Sequence, residues 1–220
     1  MDGIERAVAE TEQDRKDAGI LLAERLSVYR ERRPLIVAIS TGGVSVAYEI
    51  AWHLSADLDV FMVNTIPAPG RDDVALGAVA ADGTLHGSAP LRQAMKVSER
   101  EFLALGKIRQ KQAHLLEQRY RLTVTPANPR GRWVIVVDDR SVEGFAMRAA
   151  IRSLRARGAA RVVVALAVAA PGVAQSLDRQ ADAVFVLREQ VLDHRSQSLT
   201  HVDDAPSEAA LGILARDGEC

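Results

Sequence analysis

Short runs of consecutive apolar residues, separated by amphipathic stretches, constrain the fold of this 220-residue chain more than any other feature. The clearest runs fall in residues 35–39, 133–137 and 161–168, which are rich in Val and Ile and lack the polar–apolar alternation of a strand with one solvated face. Stretches between the runs have the helical repeat, as in residues 144–157. The sequence therefore predicts an α/β fold with a central, mainly parallel sheet flanked by helices.

Weaker patterns predict the remaining elements. Further helices are predicted at residues 4–29, 44–54, 91–122, 172–180 and 207–215. Further strands are predicted at residues 59–63 and 183–187, with a loop at residues 67–70 after the first of them. Asp82 and Gly83 predict the turn of a hairpin between residues 74–80 and 84–86. We interpret residues 1–220 as a single domain, in which residues 71–125 form an inserted flap with a long helix and residues 191–220 form a C-terminal tail.

Charge and composition limit the partners that the chain is expected to have. With 28 basic and 29 acidic side chains the net charge is −1, which disfavours general binding to nucleic acid or to anionic membranes. Residues 92–132 contain ten Lys or Arg but only three Glu. We interpret these charged residues as the polar face of an amphipathic helix, with a binding site for a polyanion as the less favoured alternative. We find no apolar stretch of about 20 residues and no signal-peptide pattern, so we expect a cytoplasmic protein without a membrane partner.

The ends of the predicted strands are the expected location of chemistry. In open α/β sheets, ligands bind beyond the carboxyl ends of the strands. Asp138 and Asp139 directly follow the run at residues 133–137, and two such carboxylates can bind the vicinal hydroxyls of a ribose or hold a divalent cation. The alternative is a pair of solvated acids at a helix N-terminus. Gly42 and Gly43 follow another strand, and their strand–turn–helix setting gives them weight as a phosphate-binding turn.

Residues 136–139, followed by Gly144 and Met147, resemble the diphosphate-sugar motif of the type I phosphoribosyltransferases. Other segments resemble one bacterial branch of that family, and they are residues 14–19, 21–23, 42–47, 68–70, 75–79, 161–165 and 168–171. The resemblance covers roughly residues 12–190. It implies a phosphoribosyltransferase-type fold and the transfer of a phosphoribosyl or related sugar-phosphate group to or from a nitrogenous acceptor, with magnesium on the diphosphate.

The resemblance also implies a set of site residues. The ligand-binding positions it indicates are Thr41, Gly42, Gly43, Asp138, Asp139, Arg140, Ser141, Glu143 and Gly144. Asp138 and Asp139 are in addition the metal ligands that it suggests, while no catalytic residue is assigned. The expected partners are a small-molecule sugar phosphate or nucleotide-like ligand and, through the flap and long helix, a second copy of the chain. These residues do not identify the acceptor base, and they do not establish that the protein catalyses the transfer.

The sequence departs from the family pattern where phosphate would bind. In the sugar-phosphate loop, a glycine, two hydroxyl residues and a small residue of the family are replaced, here by Arg140, Glu143, Phe145 and Ala146. Thr41 stands where the branch has an arginine, and residues 64–65 stand where it has a basic residue. A carboxylate beside a phosphate costs several kcal/mol at an effective dielectric constant of about 20. Arg140 and Phe145 also demand space that a tight loop lacks. The alternative is therefore a catalytically inactive or repurposed member that binds a nucleotide-like ligand or a protein partner.

Overall fold

The structure is a computed structural model that describes residues 2–192, with side chains from residue 12 onward. In chain order its elements are α1 (Asp2–Leu26), β1 (Leu35–Ala38), α2 (Thr41–Leu54), β2 (Asp57–Val60), β3 (Val63–Ala68), β4 (Arg71–Ala80), β5 (Leu85–Gly87), α3 (Ala89–Ala94), α4 (Glu99–Tyr120), β6 (Trp133–Ser141), α5 (Phe145–Ala156), β7 (Arg161–Ala169), α6 (Val173–Leu177) and β8 (Ala183–Glu189). A 3₁₀ turn, Ser27–Arg32, joins α1 to β1.

Five strands form a parallel sheet in the order β2-β1-β6-β7-β8, which confirms the predicted fold class. Its central strands are buried on both faces, as their unbroken apolar runs predict. Ile36 and Ile135 belong to the apolar cluster that includes α1 and α2, whereas Val37 and Val136 belong to the cluster that includes α5. Helices therefore cover the sheet on both sides, and the carboxyl ends of β1 and β6 lie next to each other.

A second, antiparallel sheet of order β3-β4-β5 contains the predicted hairpin. At its turn Gly83 has a φ of +91°, and the side chain of Asp82 accepts a hydrogen bond from the backbone N–H of Thr84 at 2.8 Å. The Asp82 carboxylate also accepts a hydrogen bond from the Ser153 hydroxyl of α5, and Arg152 donates to the carbonyl oxygen of Leu85 at 3.1 Å. The hairpin is thus fixed to α5, the helix that follows β6.

Two sequence predictions about the elements are wrong. The predicted strand 59–63 ends at Val60, and the first half of the predicted loop 67–70 belongs to strand β3, because Pro67 and Ala68 pair with β4. In the sequence, Pro67 indicated a loop, because proline has no backbone N–H to donate to a sheet. In the fold it lies at a register shift on an edge strand, where a missing N–H is tolerated.

The predicted long helix 91–122 is two helices, α3 and α4. The break lies at Lys96, whose φ is +55°, and at Ser98, which forms a capping box with Glu101 and starts α4. The Ser-x-x-Glu spacing of that box was readable in the sequence. The predicted helix at residues 207–215 and all but the first two residues of the tail lie outside the described residues. Among residues 2–192, no helix combines the length and apolar character needed to cross a bilayer.

Candidate ligand site at the ends of strands β1 and β6

Ser40 and Asp138 connect the ends of two neighbouring strands. Because Ala38 of β1 pairs with Val137 of β6, the residues that follow lie side by side. The Ser40 hydroxyl donates a hydrogen bond to Oδ1 of Asp138 and accepts one from the backbone N–H of Gly43 at 2.9 Å. Ser40 is therefore the N-cap of α2 and ties the first turn of that helix to β6.

Asp138 is almost completely buried, with 4% of its surface exposed. Its Oδ1 also accepts the backbone N–H of Asp139 at 2.9 Å. Burial, reinforced by the negative charge of Asp139, raises the pKa of Asp138 well above its ordinary value. The Asp138 carboxyl is thus biased towards its protonated form, in which it can donate as well as accept a hydrogen bond.

Asp139 forms an ion pair with Arg15 of α1. The Arg15 Nε donates to Oδ2 of Asp139 at 3.0 Å, and the two side chains are 19% and 10% exposed. A second, longer contact of 3.7 Å joins Arg15 Nη1 to Oε2 of Glu12. Sequence analysis missed Arg15 as a site residue, although residues 14–19 carried part of the family resemblance. Its partner is 124 positions away, so no spacing rule could have linked them.

Gly42 and Gly43 are packed tightly against β6. A Cβ on Gly42 would lie 2.3 Å from Oδ2 of Asp139, and a Cβ on Gly43 would lie 3.0 Å from the carbonyl oxygen of Val137. The first distance is shorter than real Cβ contacts, so a side chain at position 42 would displace the carboxylate. Thr41, the first residue of α2, lies at the same helix start. The structure therefore brings the predicted residues Thr41, Gly42, Gly43, Asp138 and Asp139 together.

The other predicted residues form an adjoining cleft. Sequence analysis treated residues 138–144 as a loop, but β6 continues to Ser141, and Arg140 pairs with Val168 of β7. Gly144, with a φ of +74°, precedes α5. Arg148 holds this turn by donating to the carbonyl oxygen of Glu143 and to the Ser176 hydroxyl, each at 2.7 Å. The turn is thus fixed by a side chain of the helix that it starts.

The cleft is narrow. Its walls are built from β3, β6 and the start of α5, and they consist of Val63, Thr65, Asp138, Arg140, Ser141, Glu143, Gly144, Phe145 and Ala146. The volume open to a water-sized sphere is about 10 Å³, which is room for about one water molecule. Thr65 lines the cleft because it belongs to β3, which the sequence alone did not predict. A phosphate would require this cleft to widen.

Phe145 does not obstruct the turn in the way the sequence suggested. It is 9% exposed and belongs to the apolar cluster around α5, with its ring centre 5.9 Å from that of His86 in β5. Burial, followed by the charges of Arg148 and Arg152, lowers the pKa of His86. His86 therefore favours its neutral form and acts as a packing partner that connects the hairpin to the turn.

The carboxylates alone do not build a magnesium site. Within the described side chains, residues 12–192, no group of three or more His, Cys, Asp or Glu could hold a metal ion. Asp138 already bonds Ser40, and Asp139 already pairs with Arg15. A magnesium ion here would need further oxygen ligands, such as those of a diphosphate.

Comparison with known proteins agrees with this architecture. Residues 9–203 match the phosphoribosyl transferase domain family. The chain belongs to this family. A Mycobacterium tuberculosis protein that carries a provisional phosphoribosyl transferase name, found in strains H37Rv and CDC 1551, is 31% identical over 186 residues. The match covers 81% of this chain, but the chain spans only about 40% of the length of that relative.

Solved structures are also similar. The crystal structure of TT1426 from Thermus thermophilus has a TM-score of 0.70 and 31% identity, with 92% of this chain and 96% of that chain covered. A purine phosphoribosyltransferase from Pyrococcus horikoshii matches with a TM-score of 0.47 and 17% identity, over 81% of this chain and 84% of its own.

Proposed function

We propose that this chain binds a sugar phosphate or nucleotide-like ligand at the ends of β1 and β6, and transfers a phosphoribosyl or related sugar-phosphate group to or from a nitrogenous acceptor. The observation that carries the proposal is the close packing of Gly42 against Asp139, 2.3 Å from a Cβ at position 42 to Oδ2. It places a carboxylate beside the N-terminus of α2, so that hydroxyl-binding and anion-binding groups meet in one crevice.

The side chains have separate tasks in this proposal. The Asp139 carboxylate accepts hydrogen bonds from the ribose hydroxyls, while Asp138, biased towards its protonated form, holds the strand end and offers a second hydrogen bond. The backbone N–H groups and dipole of α2 receive the anionic group. Magnesium, when bound with a diphosphate, would neutralise its charge. The remaining contribution to rate comes from positioning and from electrostatic stabilisation of an oxocarbenium-like centre.

A second candidate function is that of a non-catalytic, repurposed binder. The observation that favours it is the narrow cleft, about 10 Å³, with the Glu143 side chain in its wall. A 5′-phosphate placed there would meet a carboxylate at short range and would lack the hydroxyl donors that the resemblance leads one to expect. A nucleotide-like ligand that binds mainly through its ribose avoids this repulsion.

Titration calorimetry with phosphoribosyl diphosphate and magnesium distinguishes the two candidates when it is combined with an assay of diphosphate release. We expect weak binding of phosphoribosyl diphosphate, because the 5′-phosphate cleft is unfavourable. Release of diphosphate in the presence of one of a panel of purine or pyrimidine bases would support the transferase; binding without release would support the repurposed binder. A submicromolar dissociation constant would contradict the expected weakness of the cleft.

The Asp pair provides the control for that experiment. The double variant Asp138→Asn, Asp139→Asn keeps the size of both side chains and removes both carboxyl groups, so we expect a folded protein that no longer binds ribose 5-phosphate. Unchanged binding would mean that the pair only supports the start of α2, and it would refute the proposed site.

We propose further that the protein is a homodimer and that it is cytoplasmic, where its charged ligands would be found. On one face of helix α4, Ile108 and Leu115, which are seven residues apart, are exposed to 59% and 50%, respectively. Burying them against a second copy would remove apolar surface from water. Light scattering on Ile108→Glu should give a smaller mass than the parent; an unchanged mass would exclude this face as the interface.

A further inference from the structure

Helix α1 brings a positive charge into the strand-end crevice. Arg15 lies against Asp139, with 3.0 Å between Nε and Oδ2, although α1 is neither a strand nor a strand-end loop. That same Oδ2 is the atom closest to a Cβ placed on Gly42, in the first turn of α2. The guanidinium and the N-terminus of α2 therefore approach one carboxylate oxygen from two elements.

The charges around the crevice give this arginine its importance. Asp139 and Glu143 are acidic and Thr41 and Thr65 carry no charge, while Arg140 is a cation in the wall of the adjoining cleft. With 19% of its side chain exposed, Arg15 is mostly buried but still reaches solvent. Without it, an anion at the start of α2 would face the Asp139 carboxylate uncompensated, and it would be repelled.

We infer that Arg15 is the anion-binding residue of this site, which contacts a phosphate or diphosphate group placed at the N-terminus of α2. A guanidinium has five N–H donors, so the bond from Nε to Asp139 and the longer contact of Nη1 with Glu12 leave donors for a further anion. Its planar fork suits phosphate oxygens. When ribose hydroxyls bind Asp139, they take over part of the role of Arg15 as its partner. This inference rests on the proposed function and names the residue that selects its anionic group.

The inference separates the two anionic ends of a ligand. Arg15 and α2 serve the end next to Gly42 and Gly43, whereas the cleft with Glu143 in its wall serves the 5′ end. The site formed by Arg15 and the N-terminus of α2 then keeps its affinity for an anion. The cleft with Glu143 in its wall is the part that has lost affinity for a 5′-phosphate. Inorganic diphosphate and ribose 5-phosphate are therefore suitable probes, because they report on the two ends differently.

The test is calorimetry of both probes, with magnesium, on the parent and on Arg15→Gln. We expect the affinity for diphosphate to fall at least tenfold, and the affinity for ribose 5-phosphate to stay level or rise, because Asp139 loses a competing partner. Arg15→Lys, which keeps the charge, should retain most of the diphosphate affinity. The matched control is Arg25→Gln, which removes the same charge from the same helix, where Arg25 donates to the carbonyl oxygen of Val186 at 3.0 Å. It should leave both affinities unchanged.

Each outcome decides the question. Equal diphosphate affinity in the parent and Arg15→Gln, or a parallel loss of both probes that Arg15→Lys does not rescue, would overturn the inference. Binding of diphosphate that depends on Arg15, without binding of ribose 5-phosphate or any nucleotide, would keep the inference and refute the proposed function. A parent that binds neither probe would refute both. Melting curves confirm that each variant is folded, and Arg15→Lys supplies the answer if Arg15→Gln is not.

Discussion

The Ser40 hydroxyl donates a hydrogen bond to the buried Asp138 carboxyl across 98 positions of sequence. At the same time it accepts the backbone N–H of Gly43 at 2.9 Å. One hydroxyl thus caps α2 and also gives the buried acid at the end of β6 a hydrogen-bond partner. The position of the proposed anion site relative to the proposed sugar site depends on this side chain, which bonds to both.

Replacing Ser40 with Ala should destabilise the protein by about 1.5–5 kcal/mol. Loss of an N-cap costs about 0.5–2 kcal/mol, and a buried polar group left without its partner costs about 1–3 kcal/mol. Urea unfolding measures the sum. The control is Ser98→Ala, which removes the N-cap of α4 but no bond to a buried acid. It should therefore cost only the free energy of a lost N-cap, about 0.5–2 kcal/mol. Equal losses in the two variants would mean that the Asp138 bond contributes little.

Asp138→Asn should make the protein less sensitive to rising pH. Burial raises the pKa of Asp138 above its ordinary value of 3.8, so the folded chain holds this proton more tightly than the unfolded chain does. The resulting stability is complete below pH 3.8 and is lost as the pH rises through the raised pKa. Each pKa unit corresponds to about 1.4 kcal/mol. Asn keeps an acceptor for Ser40 and cannot ionise.

Melting temperatures at several pH values test this expectation. Relative to the parent, Asp138→Asn should gain stability as the pH rises from about 4 to neutral, by about 2–4 °C per kcal/mol for a domain of this size. Asp72→Asn is a suitable control, since Asp72 is exposed at the start of β4. A constant difference between parent and Asp138→Asn at all pH values would show that folding does not raise the pKa of Asp138.

The sheet was predictable because its signal is local and strong. Buried parallel strands are unbroken apolar runs, and the runs at residues 35–39 and 133–137 became β1 and β6. The Asp pair was found for the same reason, because it directly follows such a run. In contrast, β3 contains polar residues and Pro67 and takes its structure from pairing with β4, which no local pattern encodes.

The contacts that organise the site were not predictable, since they join distant residues. Arg15 meets Asp139 across 124 positions, and its helical surroundings give it the appearance of an ordinary exposed arginine. Phe145 looked like an obstacle in a loop, whereas the fold turns it into the core beside His86. Composition and spacing indicate which residue types are present, but the path of the chain decides which of them touch.

Gly42→Ala should destabilise the protein by about 1–3 kcal/mol, as overpacking of a tight contact does. The added methyl would lie 2.3 Å from Oδ2 of Asp139 and would push that carboxylate away from Arg15. Adding Asp139→Ala makes room, so the double variant should be more stable than the sum of the two single losses predicts. A double-mutant cycle of unfolding free energies measures this coupling; purely additive losses would mean that the glycine is needed for another reason.

The burial of Phe145 changes how the phosphate cleft can be restored. Truncating a buried Phe to Ala costs about 3–5 kcal/mol, and Val142 is also only 9% exposed. Arg140 is a strand residue, where Gly costs about 0.5–1 kcal/mol. These three side chains should therefore be kept. Glu143 and Ala146 are half-buried cleft residues that can be replaced with little loss of packing.

The double variant Glu143→Thr, Ala146→Thr should bind phosphoribosyl diphosphate at least about 30-fold more tightly than the parent. It removes one carboxylate and adds two hydroxyl donors, each worth about 1.5–3 kcal/mol to a charged phosphate. Ending the repulsion adds a comparable amount, for a total of roughly 4.5–9 kcal/mol if the effects add, which neighbouring sites seldom do. Half of the lower figure already gives more than about 30-fold. Calorimetry with magnesium provides the measurement, and Ala146→Thr alone, which retains the carboxylate, should gain clearly less. A folded double variant with no gain would place the limiting defect elsewhere, and Thr65 on the facing wall of the cleft would be the next position to change.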